Sequence, residues 1–258
     1  MEILQIVLLA IVQGITEFLP ISSQSHLILM SKFFGMRDQG LGFDIALHAG
    51  SLLAILVYYR REIGQVIYFS NEGKNYIKLI IIGSIPLPIV ALLFMDFVSI
   101  NLRSINSIAF MTIIFAAILY AADMRKRAEY NNLESISVYI VVFIGLMQSL
   151  AIVPGVSRSG IVITAALFAN FSRENSVKIA FLLSIPAIFM ATVYQSAQLY
   201  SIGDYNIFTE HLLGATLSFI ASYLTIHFFI KTINKISFTP YVIYRLLLGV
   251  VLIGIQIA

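Results

Sequence analysis

Apolar residues run through this chain in long stretches, and polar residues collect in the short segments between them. A bilayer-crossing helix needs about 20 mostly apolar residues. Six stretches meet that requirement, near 43–59, 79–95, 105–122, 179–200, 211–230 and 240–258. Two further stretches are apolar but broken. Residues 2–30 are interrupted by Gln13, Glu17, Pro20 and the run Ser22-Ser23-Gln24-Ser25-His26. Residues 136–171 are interrupted by Gln148, Pro154, Gly155 and Ser157-Arg158-Ser159-Gly160. Each half of these stretches has about 10–15 residues, about 15–22 Å as helix, which is too short to cross alone. A proline sits at each break, where it removes a donor and stops the preceding helix. Broken backbone at membrane depth is tolerated only where it is buried in protein or lines a wet cavity. Both stretches are therefore predicted to be re-entrant helical hairpins. The predicted fold is an all-α membrane protein of about six transmembrane helices plus two such hairpins.

Composition supports the same class. The chain has 258 residues, 59% of them hydrophobic and only 11% charged. Soluble domains carry about 25% charge, so there is too little here to coat a water-facing surface. A soluble globular protein and a disordered chain are both excluded. The net charge of +3 is small and its basic residues lie in separated clusters, which argues against nucleic-acid binding. The absence of Cys excludes disulfides, thiol catalysis and Cys-ligated metals. The N-terminal apolar run lacks a basic start and holds Gln13 and Glu17, so it makes a poor signal peptide.

The connecting segments suggest an orientation. Segments 60–78, 123–135, 172–178 and 231–239 carry 11 Lys and Arg residues, whereas 31–42, 96–104 and 201–210 carry 3. The positive-inside rule places the first set in the cytoplasm. That assignment is consistent only if 2–30 and 136–171 each return to the side they entered from, which puts both termini outside.

A shift of 134 residues lays the chain on itself. Stretch 43–59 falls on 177–193, 79–95 on 213–229, and 105–122 on 239–256. Residues Phe18 to Leu29 fall on Ile152 to Ile163 without a gap, and Pro20, Ser23 and Ser25 meet Pro154, Ser157 and Ser159. The chain thus reads as one membrane domain, 1–258, built from repeats at about 1–124 and 135–258. By the sidedness argument the repeats are inverted. Such folds place a site near the midplane, where half-helix N-termini point at anionic groups. Ser22-Ser23 and Ser157-Arg158 are each expected at such an N-terminus, where unpaired N–H groups carry partial positive charge.

The polar residues inside the apolar stretches are candidates for chemistry. Gln13 and Glu17 are four apart and share a helix face. A carboxylate at membrane depth marks a function by default, against the plainer reading of a salt bridge that holds a hairpin. Glu17 could bind a divalent cation or act as a base, and Gln13 could add a carbonyl oxygen to that cation. Ser22 and Ser23 lie four and three residues before His26, so hydroxyl and imidazole share a face, as a nucleophile and base would. The plainer alternative is a capping serine and a hydrogen-bonded histidine. Arg158 has a planar fork suited to phosphate oxygens, and it lies between Ser157 and Ser159. Gly155 and Gly160 flank it and could let backbone approach a ligand. An ion pair between Arg158 and Glu17 is compatible with both readings. Asp44 and His48, an i, i+4 pair, are balanced between a helix start with a bundle-facing histidine and a site role. His211 and His227 read as structural, and Arg245 as a snorkelling residue of the last span. Arg125-Lys126-Arg127 reads as a topology signal in contact with anionic lipid. No nucleotide-binding glycine motif is present.

Taken together these stretches resemble a known family, the undecaprenyl-diphosphate phosphatases of the bacitracin-resistance type. QGITEFLPISSQSHL (13–27) resembles its first motif, and GLMQSLAIVPGVSRSGIVIT (145–164) its second. FDIALHAGSLLAILVYYRREI (43–63), IAFLLSIPAI (179–188) and FTPYVIYRLLLG (238–249) are similar to three supporting stretches. The resemblance implies a plasma-membrane hydrolase that removes the terminal phosphate of a polyprenyl diphosphate. The monophosphate is thereby recycled as a carrier for cell-wall glycan, and bacitracin resistance follows. It also implies a divalent-cation cofactor, Mg²⁺ or Ca²⁺, and a site towards the outer face. The family's functional residues carry over as Gln13, Glu17, Ser22, Ser23, His26 and Ser157-Arg158-Ser159. Two positions depart from the usual pattern. Gln24-Ser25 stands where the family has a small pair often including Gly, and Gln13 replaces a commoner Glu, which implies weaker metal binding.

The scheme that follows has Arg158, the Ser157 and Ser159 hydroxyls and helix N-terminal amides holding the diphosphate, with Ser22, Gly155 and Gly160 around them. A cation at Glu17 and Gln13 neutralises charge. Ser23, His26 or a water attacks the terminal phosphorus, with His26 or Glu17 handling the proton. The alternative is a polyprenyl-phosphate flippase or an anion transporter, because carriers share inverted repeats with broken helices. An acid-phosphatase-like lipid phosphatase fails, because no Arg-Pro is present and no His or Asp closely follows Arg158. Partners are the lipid substrate and membrane lipids. A homodimer is left open, since no helix face stands out as a seam.

Overall fold

A computed structural model describes residues 3–23, 25–26, 30, 40–125, 133, 136–201 and 209–257. Every described element is helical. In chain order they are α1 (Ile3–Thr16), α2 (Leu41–Tyr58), α3 (Arg60–Ile67), α4 (Asn71–Ser84), α5 (Pro86–Asn101) and α6 (Ile105–Met124). There follow α7 (Val138–Ser149), a 3₁₀ turn (Leu150–Ile152), α8 (Arg158–Phe168), α9 (Arg173–Ser201), α10 (Thr209–Ile233) and α11 (Thr239–Ile257).

Among the described residues, six helical stretches are long and apolar enough to cross a bilayer: Leu41–Tyr58, Gly73–Asn101, Ile105–Met124, Arg173–Ser201, Thr209–Ile233 and Thr239–Gln256. They coincide with the six expected spans, but the polar segments between them are shorter than the sequence suggested. Residues 60–78 are not a loop, because α3 and the start of α4 occupy most of that segment. The span expected at 79–95 is 29 residues of near-continuous helix. Pro86 cannot donate, which divides α4 from α5, but Ile85 keeps helical torsions (φ −57°, ψ −43°) and carries the chain through. Charged residues can sit on these helix ends because long Lys and Arg stems reach the interface. Lys32, Arg37, Lys126 and Arg127 lie outside the described residues.

The two broken stretches are broken where the prolines and glycines predict. α1 stops at Thr16 and helix resumes at Ser23, whereas α7 runs into a 3₁₀ turn and α8 starts at Arg158. Ser22 (φ 69°) and Ser157 (φ 70°) both take left-handed torsions immediately before the new helix. That correspondence sets the two breaks 135 residues apart, one more than the sequence overlay, so Ser22 rather than Ser23 matches Ser157. α8 has 11 residues, about 16 Å of helix. Everything from Ser159 to Leu167 on it is buried, as suits a helix enclosed by others rather than a membrane span.

Packing between the halves is reciprocal. α1 lies against α10 and α7 against α4 and α5, while α2 contacts α9, and α6 contacts α11. α8 and the first half of α9 form the centre of the main apolar core, with Phe18 of the first break edge-on to Phe181. Large apolar side chains that face outward, such as Leu92, Ile100, Phe110 and Leu247, supply a surface matched to hydrocarbon. Polar ties gather near the helix ends. Asp123 of α6 accepts from Arg173 Nε at 2.7 Å, from its Nη2 at 3.0 Å, and from the Phe238 amide at 3.0 Å. One carboxylate thereby joins the end of α6 to the starts of α9 and α11. Lys178 Nζ reaches Glu62 at 3.0 Å and the Tyr76 hydroxyl at 3.1 Å.

Candidate active site

The two breaks meet. Arg158 Nη2 donates to Glu17 Oε1 at 2.6 Å, and Ser159 Oγ donates to the Leu19 carbonyl at 2.9 Å. Gln13 Nε2 donates to the other Glu17 oxygen at 3.0 Å, one helical turn away. The pair is largely out of solvent, with the Arg158 and Glu17 side chains 13% and 10% exposed. Both breaks rest on one turn of α6. Ser25 Oγ lies 3.2 Å from Thr112 Oγ1, and a side chain on Gly155 would come within 2.5 Å of the Ile108 carbonyl.

A cavity of about 220 Å³ opens at this junction. Its polar wall is Glu17, Ser22 and Ser23 from the first break and Ser157, Arg158 and Ser159 from the second, with Thr16 and His48 beside them. Its apolar wall is Leu87, Ala151, Ile152 and the α9 residues Ala187, Ile188 and Ala191. Ser157 Oγ caps α8 by accepting from the Gly160 amide at 3.2 Å. The first amides of that helix therefore sit beside the cavity and contribute partial positive charge. Arg158 spends one terminal nitrogen on Glu17, whereas Nη1 is buried with no hydrogen-bond partner among the described residues. A buried guanidinium N–H without an acceptor is uncommon, and an anionic oxygen would satisfy it. Serine hydroxyls, a fork with a free donor and a helix start on one wall, with apolar side chains on the other, suit a ligand with an anionic head and an apolar tail.

The site expected from sequence is assembled only in part. Gln13, Glu17, Ser22, Ser23, Ser157, Arg158 and Ser159 all come together. His26 does not join them on the cavity. Its Nδ1 lies 2.8 Å from the Ser22 backbone carbonyl and its Nε2 2.6 Å from the Tyr244 hydroxyl, with the two rings stacked. A carbonyl only accepts, so Nδ1 carries the proton and Nε2 accepts from Tyr244. The nucleophile–base pairing of Ser22 or Ser23 with His26 is absent among the described contacts, because the turn at Ser22 presents its carbonyl and not its hydroxyl to the ring. Gly155 and Gly160 are both closely packed. Gly155 takes φ +93° against α6, and a side chain on Gly160 would meet Ser157 and Arg245 Nη1.

Arg245 is the largest departure from expectation. It does not snorkel: it is 0% exposed, and its Nη2 donates to the Gly155 and Val156 carbonyls at 2.9 and 3.0 Å. Those carbonyls belong to non-helical backbone and have no ladder partner, so the guanidinium supplies what the break lacks. Consecutive residues of α11 thus reach both breaks, Tyr244 the first and Arg245 the second. Depth in the last span does not distinguish snorkelling from burial, and the family-like stretch FTPYVIYRLLLG (238–249) that contains Arg245 was the signal that could have marked it. His211 and His227 pack against aromatic rings, Phe43 for the former and Tyr58 and Phe228 for the latter, in keeping with structural roles.

Among the described residues no three His, Asp or Glu side chains cluster as a preformed metal cage. Glu17 is the one carboxylate among the described residues of the cavity wall. Its Oε1 accepts from Arg158 and its Oε2 from the Gln13 amide nitrogen, so Gln13 turns its Nε2 and not its oxygen to it. Mg²⁺ characteristically takes one or two carboxylates and completes its shell with substrate phosphates and water. An ion of that kind would share Glu17 with Arg158 and take its remaining ligands from a diphosphate and water.

A family model described as bacitracin resistance protein BacA matches residues 6–251. Curated relatives match over nearly their whole length. An undecaprenyl-diphosphatase of Saccharophagus degradans is 42% identical over 257 residues, covering 96% of each chain. One of Teredinibacter turnerae is 42% identical over 261 residues, covering 98% of each. Undecaprenyl-diphosphatase 1 of Pseudoalteromonas translucida is 41% identical over 263 residues, again covering 98% of each.

Proposed function

The chain belongs to the bacitracin resistance protein BacA family, and from that premise we infer how it works as an undecaprenyl-diphosphatase. It is a multi-pass membrane hydrolase that removes one phosphate from undecaprenyl diphosphate and so returns undecaprenyl phosphate to the carrier pool. Bacitracin resistance is the family's named trait. The observation that carries the assignment to this cavity is the meeting of Arg158, with its free Nη1, and the serines of both breaks at one amphipathic pocket.

In this reading the diphosphate head lies between the breaks and the prenyl tail leaves past the Leu87 and Ala187 wall into lipid. Arg158, Ser157 and Ser159 hold phosphate oxygens, and the start of α8 adds its amides. Ser23 lines the cavity and is the hydroxyl placed to attack. It acts either directly, forming a phosphoserine that a water then hydrolyses to inorganic phosphate, or by orienting a water that attacks in one step. The proton of the attacking hydroxyl or water passes to Glu17, whose carboxylate shares that wall. As the phosphorus–oxygen bond breaks, charge builds on the leaving monophosphate, and the Arg158 guanidinium stabilises it. Glu17, with the Gln13 amide turned to present its oxygen, would hold a divalent cation, Mg²⁺ or Ca²⁺, which supplies charge neutralisation when bound. Gly155 and Gly160 support the substrate indirectly by letting the second break close onto α6 and Arg245.

The two halves are inverted repeats, each contributing one re-entrant break. The reciprocal packing of α1 on α10 and α7 on α4 supports this. The basic segments 60–78 and 172–178 face the cytoplasm, both termini face outside, and the site opens towards the outer face. A flippase or anion carrier would not need the hydroxyl and carboxylate of the first break at a phosphate site.

Phosphate release from a C55 polyprenyl diphosphate by the detergent-purified chain tests the reading, with Mg²⁺, Ca²⁺ or EDTA. Cation-dependent release without any second compartment is expected. Transport of the lipid without release would favour the carrier. Because the chain has no native cysteine, single cysteines at residues 62 and 258 report sidedness directly by labelling.

A further inference from the structure

His48 is the only imidazole among the described residues that line the cavity. His26 is engaged elsewhere, at the Ser22 carbonyl and the Tyr244 hydroxyl. His48 Nδ1 lies 2.8 Å from the Asp44 carbonyl. A carbonyl only accepts, so Nδ1 carries the proton and the Nε2 edge is left for another partner. The helix that carries it is held in register. Ser51 Oγ is 3.1 Å from Ser218 Oγ, Ser218 Oγ donates to the Leu47 carbonyl at 2.8 Å, and a side chain on Gly50 would run into the Ala215 carbonyl. α2 cannot slide along α10 without breaking these contacts.

We propose that His48 is a further substrate-binding residue, whose Nε2 hydrogen-bonds a phosphate oxygen of the diphosphate opposite the Arg158 guanidinium. The proposal rests on the reading of this cavity as the diphosphate site. The contact works in either protonation state. A neutral Nε2 accepts from a protonated phosphate oxygen, and a protonated one donates to an ionised oxygen. The part-buried Nδ1 contact fixes the ring, so little side-chain freedom is lost when substrate binds. The contact to residue 44 is made through its backbone carbonyl, one helical turn earlier.

The test compares His48→Leu and His48→Gln, checked for melting temperatures matching the wild-type chain, with wild type and with Arg158→Ala, all purified in detergent and assayed at a temperature where each is fully folded. Two quantities are read, kcat/KM for the C55 diphosphate and the inhibition constant of inorganic pyrophosphate. Loss of one hydrogen bond to a charged group lowers kcat/KM about 10- to 100-fold. H48L should show that loss together with a comparable weakening of pyrophosphate inhibition, and H48Q, which keeps a polar arm, should lie between it and wild type. The proposal is overturned if H48L stays within twofold of wild type, if its pyrophosphate inhibition is unchanged, or if H48Q is no better than H48L. Full activity in Arg158→Ala would instead strike the reading of the cavity itself. Should H48L not fold, pyrophosphate inhibition of His48→Asn against H48Q carries the same comparison, with the shorter Asn expected to be the weaker.

Discussion

Arg158 Nη2 lies 2.6 Å from Glu17 Oε1, an ion pair that closes the two broken stretches on each other across 141 residues of sequence. The pair fixes the cavity, but it uses only part of the arginine. Removing one partner of a buried pair leaves an uncompensated charge and costs about 3–5 kcal/mol. Arg158→Ala should therefore melt well below wild type, and the double variant Arg158→Ala, Glu17→Ala should recover part of that loss. Neither should regain activity, because the phosphate-binding fork is gone in both. Thermal melting with phosphate release on the same samples separates the two effects.

Arg245 and the Gly155 carbonyl make a second prediction. Arg245 Nε and Nη1 are buried without hydrogen-bond partners among the described residues, so an apolar side chain there removes a costly desolvated charge and offsets the loss of the two bonds to carbonyls. Arg245→Met should then shift melting by only a few degrees. The Gly155 and Val156 carbonyls would lose their donor, and the loop that aims Arg158 would relax. Phosphate release should fall at least 10-fold. An active, normally stable Arg245→Met protein would show that the break holds its shape unaided.

Gly155 itself tolerates no side chain. Its φ of +93° costs an L-residue about 1–3 kcal/mol, and a methyl group there would sit 2.5 Å from the Ile108 carbonyl. Gly155→Ala is expected to give little monodisperse protein on size exclusion, whereas Gly64→Ala, which meets nothing within 4 Å, should behave as wild type.

Asp123 offers a control away from the cavity. Asp123→Asn weakens the bidentate contact with Arg173 and keeps an acceptor for the Phe238 amide. A loss of about 1–3 kcal/mol in stability is expected. Activity per folded molecule should hold at temperatures where the variant is fully folded, as measured by phosphate release normalised to the melting curve.

The parts of this molecule that were legible in advance are those written into chain periodicity. Six spans, two breaks and the serines at each new helix start follow from run length and from Pro20 and Pro154, because the bilayer permits so few backbone solutions. Glu17 and Arg158 stood out because charge is rare at that depth. What stayed hidden depends on direction across the bundle. His26 shares a helix face with Ser22 on paper, but a left-handed turn at Ser22 swings the carbonyl, not the hydroxyl, onto the ring. Arg245 could have pointed to water or into the core, and only the donor-hungry carbonyls of a second segment decide it. His48 could have been one more bundle histidine, and only the packing of α2 on α10 and α9 brings it to the cavity wall.

The most direct test of the central claim is phosphate release from C55 polyprenyl diphosphate by the purified chain beside Arg158→Lys. Lysine keeps the charge but loses the planar fork that serves Glu17 and a phosphate oxygen together. The account predicts robust release by the wild-type chain and a fall of at least 100-fold in kcat for the lysine variant. Equal rates in the two proteins would contradict it, since the cavity at the meeting of the breaks would then not be where the diphosphate is cleaved.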